Sequence, residues 1–514
     1  MRKEMIKLRN STLPTLPTLS DQVRVPAYER TGLTVGIVHF GVGGFHRAHQ
    51  AVMIDDLFNQ GLARDWAICG VGVMPADIRM RDALRAQDGL YTLMVKYPDG
   101  RREARVIGSI IDYLYAPDDV ESVIERIASP EVRIVSLTVT EGGYNIHPVT
   151  GEFDLSNAQV RADLEPGRQP TTVFGITVEA LRRRRERRIT PFTIMSCDNL
   201  QDNGAVARRS FVAFATAKDP GLGEWIDSSV SFPNSMVDRI TPVTTDEDRS
   251  EIAKTFDIDD RWPVVCEPFL QWVLQDSFTD GRPPYENTIT QLVSDVEPYE
   301  LMKLRLLNAS HQGLCYFGHL MGYRLVHDAA ADPLIAEFLR AYMDREATPT
   351  LKPLPHIDLD DYKTQLIERF SNPGVRDTVA RLCAESSDRI PKWLLPVVRE
   401  QSATGGSIEL SAAIVASWAR YGEGVDEQGE PIEVVDRVKE RVMANAAAYP
   451  RDRLAFLRDR DLFGDLIDDA LFVASYDRAL DLLHRVGARR TLAILLGRED
   501  GPEPDPDGVT TSTG

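Results

Sequence analysis

The sequence predicts a doubly wound α/β domain that carries an inserted β-hairpin, followed by a mostly α-helical domain. Three observations predict this fold class. The 514 residues are too many for one ordinary hydrophobic core, so two domains are expected. Apolar runs alternate with helical patterns over the first part of the chain, which indicates parallel strands linked by helices. From about Met302 onward, helical periodicity dominates.

The first buried strand is predicted at LTVGIVHF (33–40), because a nearly unbroken apolar run suits a strand covered on both faces. A helical pattern over 49–61 and a second apolar run, WAICGVGV (66–73), complete the start of a β-α-β unit. Later elements of the same kind are predicted as strands VRIVSLTV (132–139) and TPFTIMSC (190–197) and helices 173–186, 203–217 and 222–228.

An antiparallel hairpin interrupts this alternation. YTLMVKY (91–97) and REARVIGSI (102–110) flank the turn signal Pro98-Asp99-Gly100. The segment 230–297 is mixed and rich in turn residues.

The chain is predicted to divide into four parts. These are an N-terminal arm (1–30), an α/β domain (31–297), a helical domain (298–496) and a disordered tail (497–514). The arm contains TLPTLPTLS, a Pro/Thr repeat that favours extended structure. The tail lacks apolar residues to bury. Helices of the second domain are predicted at 301–325, 332–345, 359–370, 374–384, 409–421, 434–446, 450–458 and 473–486.

Composition excludes several classes of function. The net charge of −19 disfavours nucleic acid and anionic membrane surfaces as partners. The five cysteines are scattered and never spaced as C-x-x-C, so a disulfide framework or structural zinc site is not expected. No apolar stretch approaches the roughly 18 residues of a membrane span, and no signal peptide is recognisable. We therefore predict a soluble, cytoplasmic protein.

A glycine-rich turn, HFGVGGFHRAHQ (39–50), directly follows the first predicted strand and opens a helix. Gly41 and Gly43 match the start of the dinucleotide fingerprint, in which absent side chains let main-chain N–H groups approach a pyrophosphate. His46 occupies the place of the third glycine, so the alternative of a simple turn stays open.

The acid that would bind the adenosine ribose is predicted as Asp77, which follows the second strand. A solvated loop carboxylate is an equal alternative. The absence of Arg and Lys from GVMPA favours NAD over NADP, and the nearby Arg79 and Arg81 make that preference slight.

The segment YELMKLRLLNASHQG (299–313) carries three polar side chains among leucines. Lys303, Asn308 and His311 fall within one broad face of an α-helix, which turns about 100° per residue. A base, a hydrogen-bond donor for a developing alkoxide and a group that orients a hydroxyl would suffice for alcohol oxidation. The alternative is a solvated Lys303 and a His311 that only packs.

Two further segments follow predicted parallel strands, where open α/β sheets bind ligands. MSCDNLQDNG (195–204) places Asn199 where it could reach a substrate oxygen, and LTVTEGGYN (137–145) offers Glu141 beside two glycines. Either segment could equally be only a turn. The basic run LRRRRERR (181–188) is predicted to be a solvated helix end that complements the helix dipole.

Together these motifs resemble the polyol-specific long-chain dehydrogenase family. The resemblance runs from about residue 33 to 490 and includes FPNSMVDRITP (232–242), VVCEPFLQWV (264–273) and ERFSNP with DRIPKWLLP (368–396). It implies a Rossmann-type first domain, a mostly helical second domain, NAD as cofactor and no metal. The implied reaction is oxidation of a sugar alcohol, with D-mannitol to D-fructose as the leading expectation. A monomer is also favoured.

The resemblance implies roles for individual residues. Lys303 would be the general base, and Glu300 could relay its proton to solvent. Asn199 and Asn308 would bind the developing alkoxide, and His311 would orient the reacting hydroxyls. Asp238 would contact the polyol, with Arg381, Arg389 and Lys392 as weaker candidates.

The resemblance also implies a set of cofactor-binding residues. The cofactor turn would contain Gly41, Gly43, Phe45 and Arg47. The set is completed by Asp77 and Glu141.

Several alternatives stand beside this interpretation. Tyr299-x-x-x-Lys303 also spells the short-chain dehydrogenase dyad, but such enzymes are much shorter and position 286 is Glu286 where a serine is needed. The sequence offers no Cys, His and carboxylate cluster for a catalytic zinc. Within the family, a fructuronate or tagaturonate reductase is the main alternative; it would need a fixed cation, for which Arg381 and Arg389 are the candidates. Arabinitol and sorbitol are further substrates, and a non-catalytic dinucleotide or sugar sensor is the alternative from another class.

Overall fold

The structure is a computed structural model that describes residues 5–16, 23–147, 151–355 and 357–500. Its internal contacts divide it after Glu297 into two compact units, here called the first and the second unit. The first unit is α/β and the second is built from helices, which confirms the predicted fold class. Most of the predicted disordered tail, residues 501–514, lies outside the described residues, as does part of the Pro/Thr repeat in the arm.

The strands of the first unit form several sheets. They are β1 (Ile6–Lys7), β2 (Val23–Arg24), β3 (Val35–Phe40), β4 (Ala67–Gly72), β5 (Tyr91–Lys96), β6 (Arg102–Ile107), β7 (Ile110–Tyr115), β8 (Ile134–Leu137), β9 (Thr193–Ser196), β10 (Ser235–Asp238), β11 (Ile258–Asp259), β12 (Val264–Cys266), β13 (Gln271–Gln275) and β14 (Gln291–Val293). The sheets run in the orders β7-β4-β3-β8-β9, β12-β5-β6-β2, β10-β13-β14 and β1-β11.

The five-stranded sheet is parallel throughout and has a doubly wound order. Numbered along the chain, its strands stand in the order 3-2-1-4-5, so the direction of winding reverses between β3 and β8. Ligands of open α/β sheets bind in the crevice outside the carboxyl ends of the strands at such a reversal. The fold therefore directs attention to the loops that follow β3 and β8.

Helices cover both faces of this sheet. They are α1 (Gly44–Ala48), α2 (Gln50–Asn59), α3 (Ile78–Ala86), α4 (Val120–Ala128), α5 (Ala158–Leu164), α6 (Val173–Arg187), α7 (Asn203–Lys218), α8 (Pro220–Ser229) and α9 (Asp246–Phe256). Val38 and Phe40 of β3 pack in one buried cluster with residues of α4, α6 and α7. Ile37 faces the other way, into a cluster with residues of α2. Burial on both faces explains why β3 reads as a continuous apolar run.

The predicted hairpin is present, because β5 and β6 pair antiparallel with Tyr91 opposite Ile107. The turn between them includes Gly100 at φ +86°. The predicted second arm was too long, however. The chain leaves β6 after Ile107, and the Ser109 hydroxyl donates to the carbonyl of Ala51 (2.7 Å). β7 then begins at residue 110 and joins the parallel sheet beside β4, a strand that the sequence pattern did not reveal.

The second unit consists mainly of helices. They are α10 (Glu297–Met302), α11 (Ala309–Leu320), α12 (Val326–Ala331), α13 (Pro333–Tyr342), α14 (Leu359–Phe370), α15 (Val379–Cys383), α16 (Ser386–Trp393), α17 (Leu395–Thr404), α18 (Glu409–Gly422), α19 (Lys439–Ala447), α20 (Arg460–Phe463) and α21 (Ala470–Leu495). Two π-helices, Lys303–Asn308 and Met343–Ala347, follow α10 and α13 directly.

One predicted helix of this unit is wrong. Over 450–458 only a short 3₁₀ turn forms, Phe456–Arg458. Asp452 explains the difference, because its carboxylate accepts the main-chain N–H of Leu454 (3.0 Å) and binds the Arg458 side chain (2.8 Å). Such local side-chain bonds compete with the regular helical pattern.

The basic run at the end of α6 is only partly a solvated helix end. Arg184 is fully buried, and its guanidinium donates to the carbonyls of Ser129 and Val132 (both 2.6 Å). Burial lowers the pKa of Arg184 to about 10. Arg183 forms an ion pair with Glu121 of α4 (2.5 Å). The run therefore fastens α6 to its neighbours.

All five cysteines are buried and unpaired. In the described part of the chain, no helix has both the length and the apolar character needed to span a bilayer. Nor do the described residues contain a group of three or more His, Cys, Asp and Glu side chains that could hold a metal ion.

Candidate active site

Gly41 lies at the reversal point of the central sheet, immediately after β3. Its φ of +87° belongs to the left-handed region, and a Cβ at this position would stand 2.0 Å from the carbonyl oxygen of Thr138. The Thr138 hydroxyl donates to the carbonyl of Gly41 (2.7 Å). The turn after β3 is therefore pressed against the segment that follows β8, and only glycine fits there.

Gly43 occupies the other key position of the turn. It is exposed and directly precedes α1, and its N–H donates to the carbonyl of Gly41 (2.6 Å). A Cβ on Gly43 would meet no atom closer than the Gly41 oxygen at 3.8 Å, so the protein itself leaves this space open. An open, side-chain-free approach to main-chain N–H groups is what a dinucleotide pyrophosphate requires. The residues present fit that ligand.

Gly41→Ala is expected to weaken binding of a nicotinamide dinucleotide about 10- to 100-fold, since overpacking costs about 1–3 kcal/mol. The measurement is the Kd of the reduced dinucleotide, from its fluorescence on titration. Gly100→Ala is the matched control, because Gly100 also has positive φ (+86°) but has nothing within 4 Å of an added Cβ. Equal dinucleotide affinity of Gly41→Ala and the native chain would contradict the assignment of the turn.

Phe45 and Arg47 lie beneath this turn. The half-buried Phe45 ring stacks on His49, with 4.8 Å between ring centroids. Arg47 is only 2% exposed and donates to the carbonyls of Gly43 (3.2 Å) and Trp262. Burial lowers the pKa of Arg47 to about 10. These bonds hold the Arg47 side chain against the main chain of the turn, and its predicted part in cofactor binding stays a prediction.

Asp77 ends a short 3₁₀ turn, Pro75–Asp77, beyond the carboxyl end of β4. Its Oδ2 accepts the main-chain N–H groups of Val73 (3.0 Å) and Met74 (2.9 Å). The carboxylate thus accepts the first two main-chain N–H groups beyond the end of β4. Its position at this strand end agrees with that expected of a ribose-binding acid, and the contact itself stays a prediction.

Asn199 and Glu141 lie in the loops that follow β9 and β8. Both are exposed, and Glu141 begins a 3₁₀ turn, Glu141–Tyr144. The buried Asp198, which sequence reasoning passed over, binds the two loops together through Tyr144 (2.7 Å) and the main chain. A carboxylate directly after a buried strand was the signal that could have revealed it.

Asp238 is buried and ends β10, in the three-stranded sheet. Its neighbour Arg239 donates to the carbonyl of Ala48 at the end of α1 (2.7 Å) and to the carbonyl of Glu267 (3.0 Å). Arg239 therefore fixes the end of β10 to the helix that follows the glycine turn. The motif NSMVDRI therefore also contains a residue that holds the structure around Asp238 together.

In the second unit, Lys303 and Asn308 are the first and last residues of a π-helix. The N–H of Ala309 donates to Leu304, five residues earlier. The sequence predicted an ordinary α-helix here. In a helix closed by i→i+5 bonds, residues five apart lie little more than one turn apart, so the wide turn brings Lys303 and Asn308 closer in angle than an α-helix would. Such π-turns occur frequently at functional sites.

The side chains of this segment are buried: Lys303 is 7% exposed, and Glu300 and Asn308 are each 5% exposed. Asn308 Oδ1 has no hydrogen-bond partner among the described residues. A buried polar atom without a partner is costly, which makes it a candidate for binding a ligand. The His311 ring packs on Phe370 with 4.4 Å between centroids.

Arg305 anchors the π-helix. Its guanidinium forms a bidentate ion pair with Glu400 of α17 (2.6 and 2.8 Å) and donates to the carbonyl of Thr350 (2.8 Å). The Tyr342 hydroxyl in turn donates to the carbonyl of Arg305 (3.1 Å). Bidentate guanidinium–carboxylate pairs have a fixed geometry, so the π-helix is held in place by directed bonds.

Arg381, Arg389 and Lys392 lie on α15 and α16. Arg381 is exposed and paired with Asp377 (2.6 Å), and Lys392 is exposed and paired with Asp388 (2.9 Å). Arg389 donates to the main-chain carbonyl of Leu382 (2.9 Å). The charges of Arg381, one of the two candidate fixed cations, and of Lys392 are therefore compensated by carboxylates of the same unit. The polyol contacts of these residues stay predictions.

Comparison with known proteins gives consistent results for both units. The family model described as the mannitol dehydrogenase Rossmann domain matches residues 35–287, and that of the mannitol dehydrogenase C-terminal domain matches residues 295–484. Mannitol 2-dehydrogenase of Phaeosphaeria nodorum is 45% identical over 492 residues, which cover 95% of this chain and 85% of that protein. Mannitol dehydrogenase 2 of Saccharomyces cerevisiae is 44% identical over 478 residues, which cover 92% of this chain and 95% of that protein.

Two solved structures are also similar. Pseudomonas fluorescens mannitol 2-dehydrogenase, in a ternary complex with NAD and D-mannitol, superposes with a TM-score of 0.85 at 45% identity, covering 96% of this chain and 100% of that chain. A substrate-free D-sorbitol dehydrogenase superposes with a TM-score of 0.88 at 38% identity, covering 95% of this chain and 100% of that chain. Sequence and fold therefore give the same result over nearly the whole length.

Proposed function

This chain belongs to the mannitol dehydrogenase family, and from that premise we propose that it is an NAD-dependent polyol dehydrogenase that oxidises D-mannitol to D-fructose and catalyses the reverse reaction. The observation that carries the proposal is the π-helix with the buried Lys303 and Asn308 at its two ends. The printed names of the similar proteins, and the NAD and D-mannitol in one of their structures, support the choice of substrate and cofactor.

Lys303 is proposed as the general base. When bound, NAD supplies the acceptor for the hydride that leaves C2 of the polyol. The amine of Lys303 takes the proton of the C2 hydroxyl, and the C2–O bond becomes the carbonyl of the ketose. Glu300, one turn earlier and also buried, passes that proton on towards solvent.

Asn308 is proposed to stabilise the negative charge that develops on the C2 oxygen. A flip of the asparagine amide exchanges the positions of its carbonyl oxygen and its NH₂ group. The NH₂ group would then occupy the position of the unpartnered Oδ1 and could donate to an alkoxide. Asn199 of the first unit is proposed for the same task, on the strength of the family motif. His311, packed on Phe370, orients the hydroxyls of the substrate.

The glycine turn of the first unit is proposed to hold NAD. Gly41 makes the close turn, Gly43 leaves the main-chain N–H groups open, and Asp77 lies at the end of β4 where the adenosine ribose is expected. Glu141 is proposed as a further contact from the loop after β8. Arg47 supports this arrangement from below through its bonds to main-chain carbonyls.

A neutral polyol fits the charges of the second unit better than a hexuronate. An anionic substrate would need a fixed cation; of the two candidates, Arg381 is already paired with Asp377, and Arg389 donates to the main-chain carbonyl of Leu382. D-Sorbitol is the second candidate substrate, because a D-sorbitol dehydrogenase is among the similar structures. Asp238, at the buried end of β10, remains the proposed polyol contact of the first unit.

The proposal is tested by nicotinamide absorbance with the purified, chelator-treated protein. D-Mannitol, D-sorbitol, D-arabinitol and D-mannonate are supplied separately, each with NAD and with NADP. We expect the highest kcat/KM for D-mannitol with NAD, with D-fructose as product. Turnover of D-mannonate alone would move the assignment to a hexuronate reductase and make Arg381 and Arg389 the first residues to mutate. Loss of turnover on chelator treatment would contradict a reaction without metal.

The assembly state and location of the protein are proposed from the sequence. We propose a monomer in the cytoplasm, as the family resemblance and the cysteine pattern favour. Light scattering on the eluting protein would test the monomer directly.

A further inference from the structure

Asp198 directly precedes Asn199, and its carboxylate is buried at the carboxyl end of β9. Oδ1 accepts the main-chain N–H of Thr140 (2.8 Å). Oδ2 accepts the N–H of Val139 (3.1 Å) and the hydroxyl of Tyr144 (2.7 Å). All three donors belong to the loop after β8. One carboxylate therefore joins the loops that follow two neighbouring strands of the central sheet.

Thr140 has a backbone conformation that residues with a side chain rarely adopt, φ 65° and ψ 168°. This region is essentially restricted to glycine, and other residues persist there only when their surroundings over-determine the conformation. The Asp198 carboxylate receives the N–H of Thr140 and that of the preceding residue. Burial raises the pKa of Asp198, and its hydrogen bonds oppose that rise. The carboxylate thus holds the strained residue in place.

Of the two joined loops, the one after β8 contacts the cofactor turn, and the one after β9 contains Asn199. Thr138, two residues before the strained position, donates its hydroxyl to the carbonyl of Gly41 (2.7 Å). On the other side, the main-chain carbonyl of Asp198 accepts the N–H of Leu200 (2.9 Å) and the amide of Asn203 (3.0 Å). Asn199 lies between Asp198 and the two residues that donate to its carbonyl. The position of Asn199 therefore depends on the hydrogen bonds that Asp198 makes.

We propose that Asp198 is a positioning residue for the reaction, because it holds Thr140 in its strained conformation and thereby fixes the loop that carries Asn199. The inference rests on the proposed function, in which Asn199 binds the developing alkoxide. Asp198 acts through its neighbours and makes no contact with substrate.

The first test is Asp198→Asn. One carboxylate oxygen becomes an NH₂ group, which cannot accept from the main-chain N–H that faces it. We expect kcat for D-mannitol to fall about 10- to 100-fold, the size of effect that a small misplacement of catalytic groups produces. NADH affinity should fall by a smaller factor, because Glu141 lies in the loosened loop whereas Gly41 and Gly43 lie outside it. Amide hydrogen exchange over residues 138–145 should become faster, a readout that needs no turnover.

The second test is rescue by Thr140→Gly in the Asp198→Asn background. Glycine adopts the native conformation of residue 140 without strain, so the loop no longer needs the carboxylate to hold it. We expect the double variant to regain most of the lost kcat and of the exchange protection. Thr140→Gly alone should keep native kcat.

The matched control is Asp163→Asn. Asp163 is also buried, and its carboxylate accepts the main-chain N–H groups of Thr171 (2.9 Å) and Thr172 (2.8 Å), none of which is a proposed site residue. Its loss should lower Tm and leave kcat unchanged. If Asp198→Asn fails to fold, Tyr144→Phe removes a single donor of the carboxylate and should show a smaller fall in kcat with faster exchange.

Two outcomes would overturn the inference: native kcat and exchange in folded Asp198→Asn, or no recovery in the double variant. Failure of the proposed function has a different signature. Native kcat in Asn199→Ala, or no polyol turnover by the native chain, would remove the role of Asn199. The exchange measurements would still report whether Asp198 holds the loop.

Discussion

Lys303→Ala is expected to lower kcat for polyol oxidation by about 10²- to 10⁴-fold, the contribution typical of a positioned general base. Lys303 is 7% exposed at the start of the π-helix, so removal of its amine leaves a site that bulk water reaches poorly. NADH affinity should persist, because the glycine turn belongs to the first unit. Stopped-flow absorbance for the hydride step and fluorescence titration for NADH separate the two effects.

Two controls make the Lys303 result specific. Lys363→Ala removes a lysine of the same unit that is equally buried, at 6% exposure, and bound to Asp344. It should lower Tm and leave kcat unchanged. Lys303→Arg keeps the charge but not the ability to take up a proton, so it should be as inactive as the alanine variant. Native turnover in either Lys303 variant would rule out the lysine mechanism.

Asn308→Ala is expected to lower kcat by about 10²- to 10³-fold, as the loss of one donor to an oxyanion does. The effect should fall on kcat more than on KM, because the bond strengthens only as the C2 oxygen gains charge. Asn308→Asp should be worse than alanine, since a carboxylate repels an alkoxide. Initial-rate kinetics with D-mannitol and saturating NAD measure all three proteins.

Ser310→Ala is the matched control for Asn308. The Ser310 hydroxyl is buried two residues further along and also lacks a hydrogen-bond partner among the described residues. The family resemblance gives Ser310 no role in the reaction, so its removal should leave kcat unchanged. An Asn308→Ala variant with the kinetics of Ser310→Ala would show that the amide is only a packing residue.

The sequence predicted the fold well where hydrophobic periodicity is strong. The parallel strands β3, β4, β8 and β9, the hairpin and the long helices such as α6 and α18 all form near their predicted places. β7 escaped notice because it follows β6 after only Gly108 and Ser109, so two strands read as one run. The order of the strands could not be predicted, since it depends on contacts distant in the chain.

Part of the candidate site was predictable from motifs, and part was not. The close fit of Gly41 against Thr138 agrees with its predicted place in a tight turn. The buried network around Asp198 was not foreseen, because a lone aspartate after a strand reads as a turn former. The carboxylate partner of Arg381 could have been suspected, because Asp377 lies four residues earlier on the helical pattern.

The π-helix is what lets two residues five positions apart, Lys303 and Asn308, lie on one side of the segment. If the same six residues closed into an ordinary α-helix, which turns about 100° per residue, the two side chains would stand about 140° apart. Only a spacing of four residues would bring them back to within about 40° in an α-helix. The spacing of five and the π-turn therefore belong together, and anyone recombining family members should keep 303–308 as one uninterrupted block.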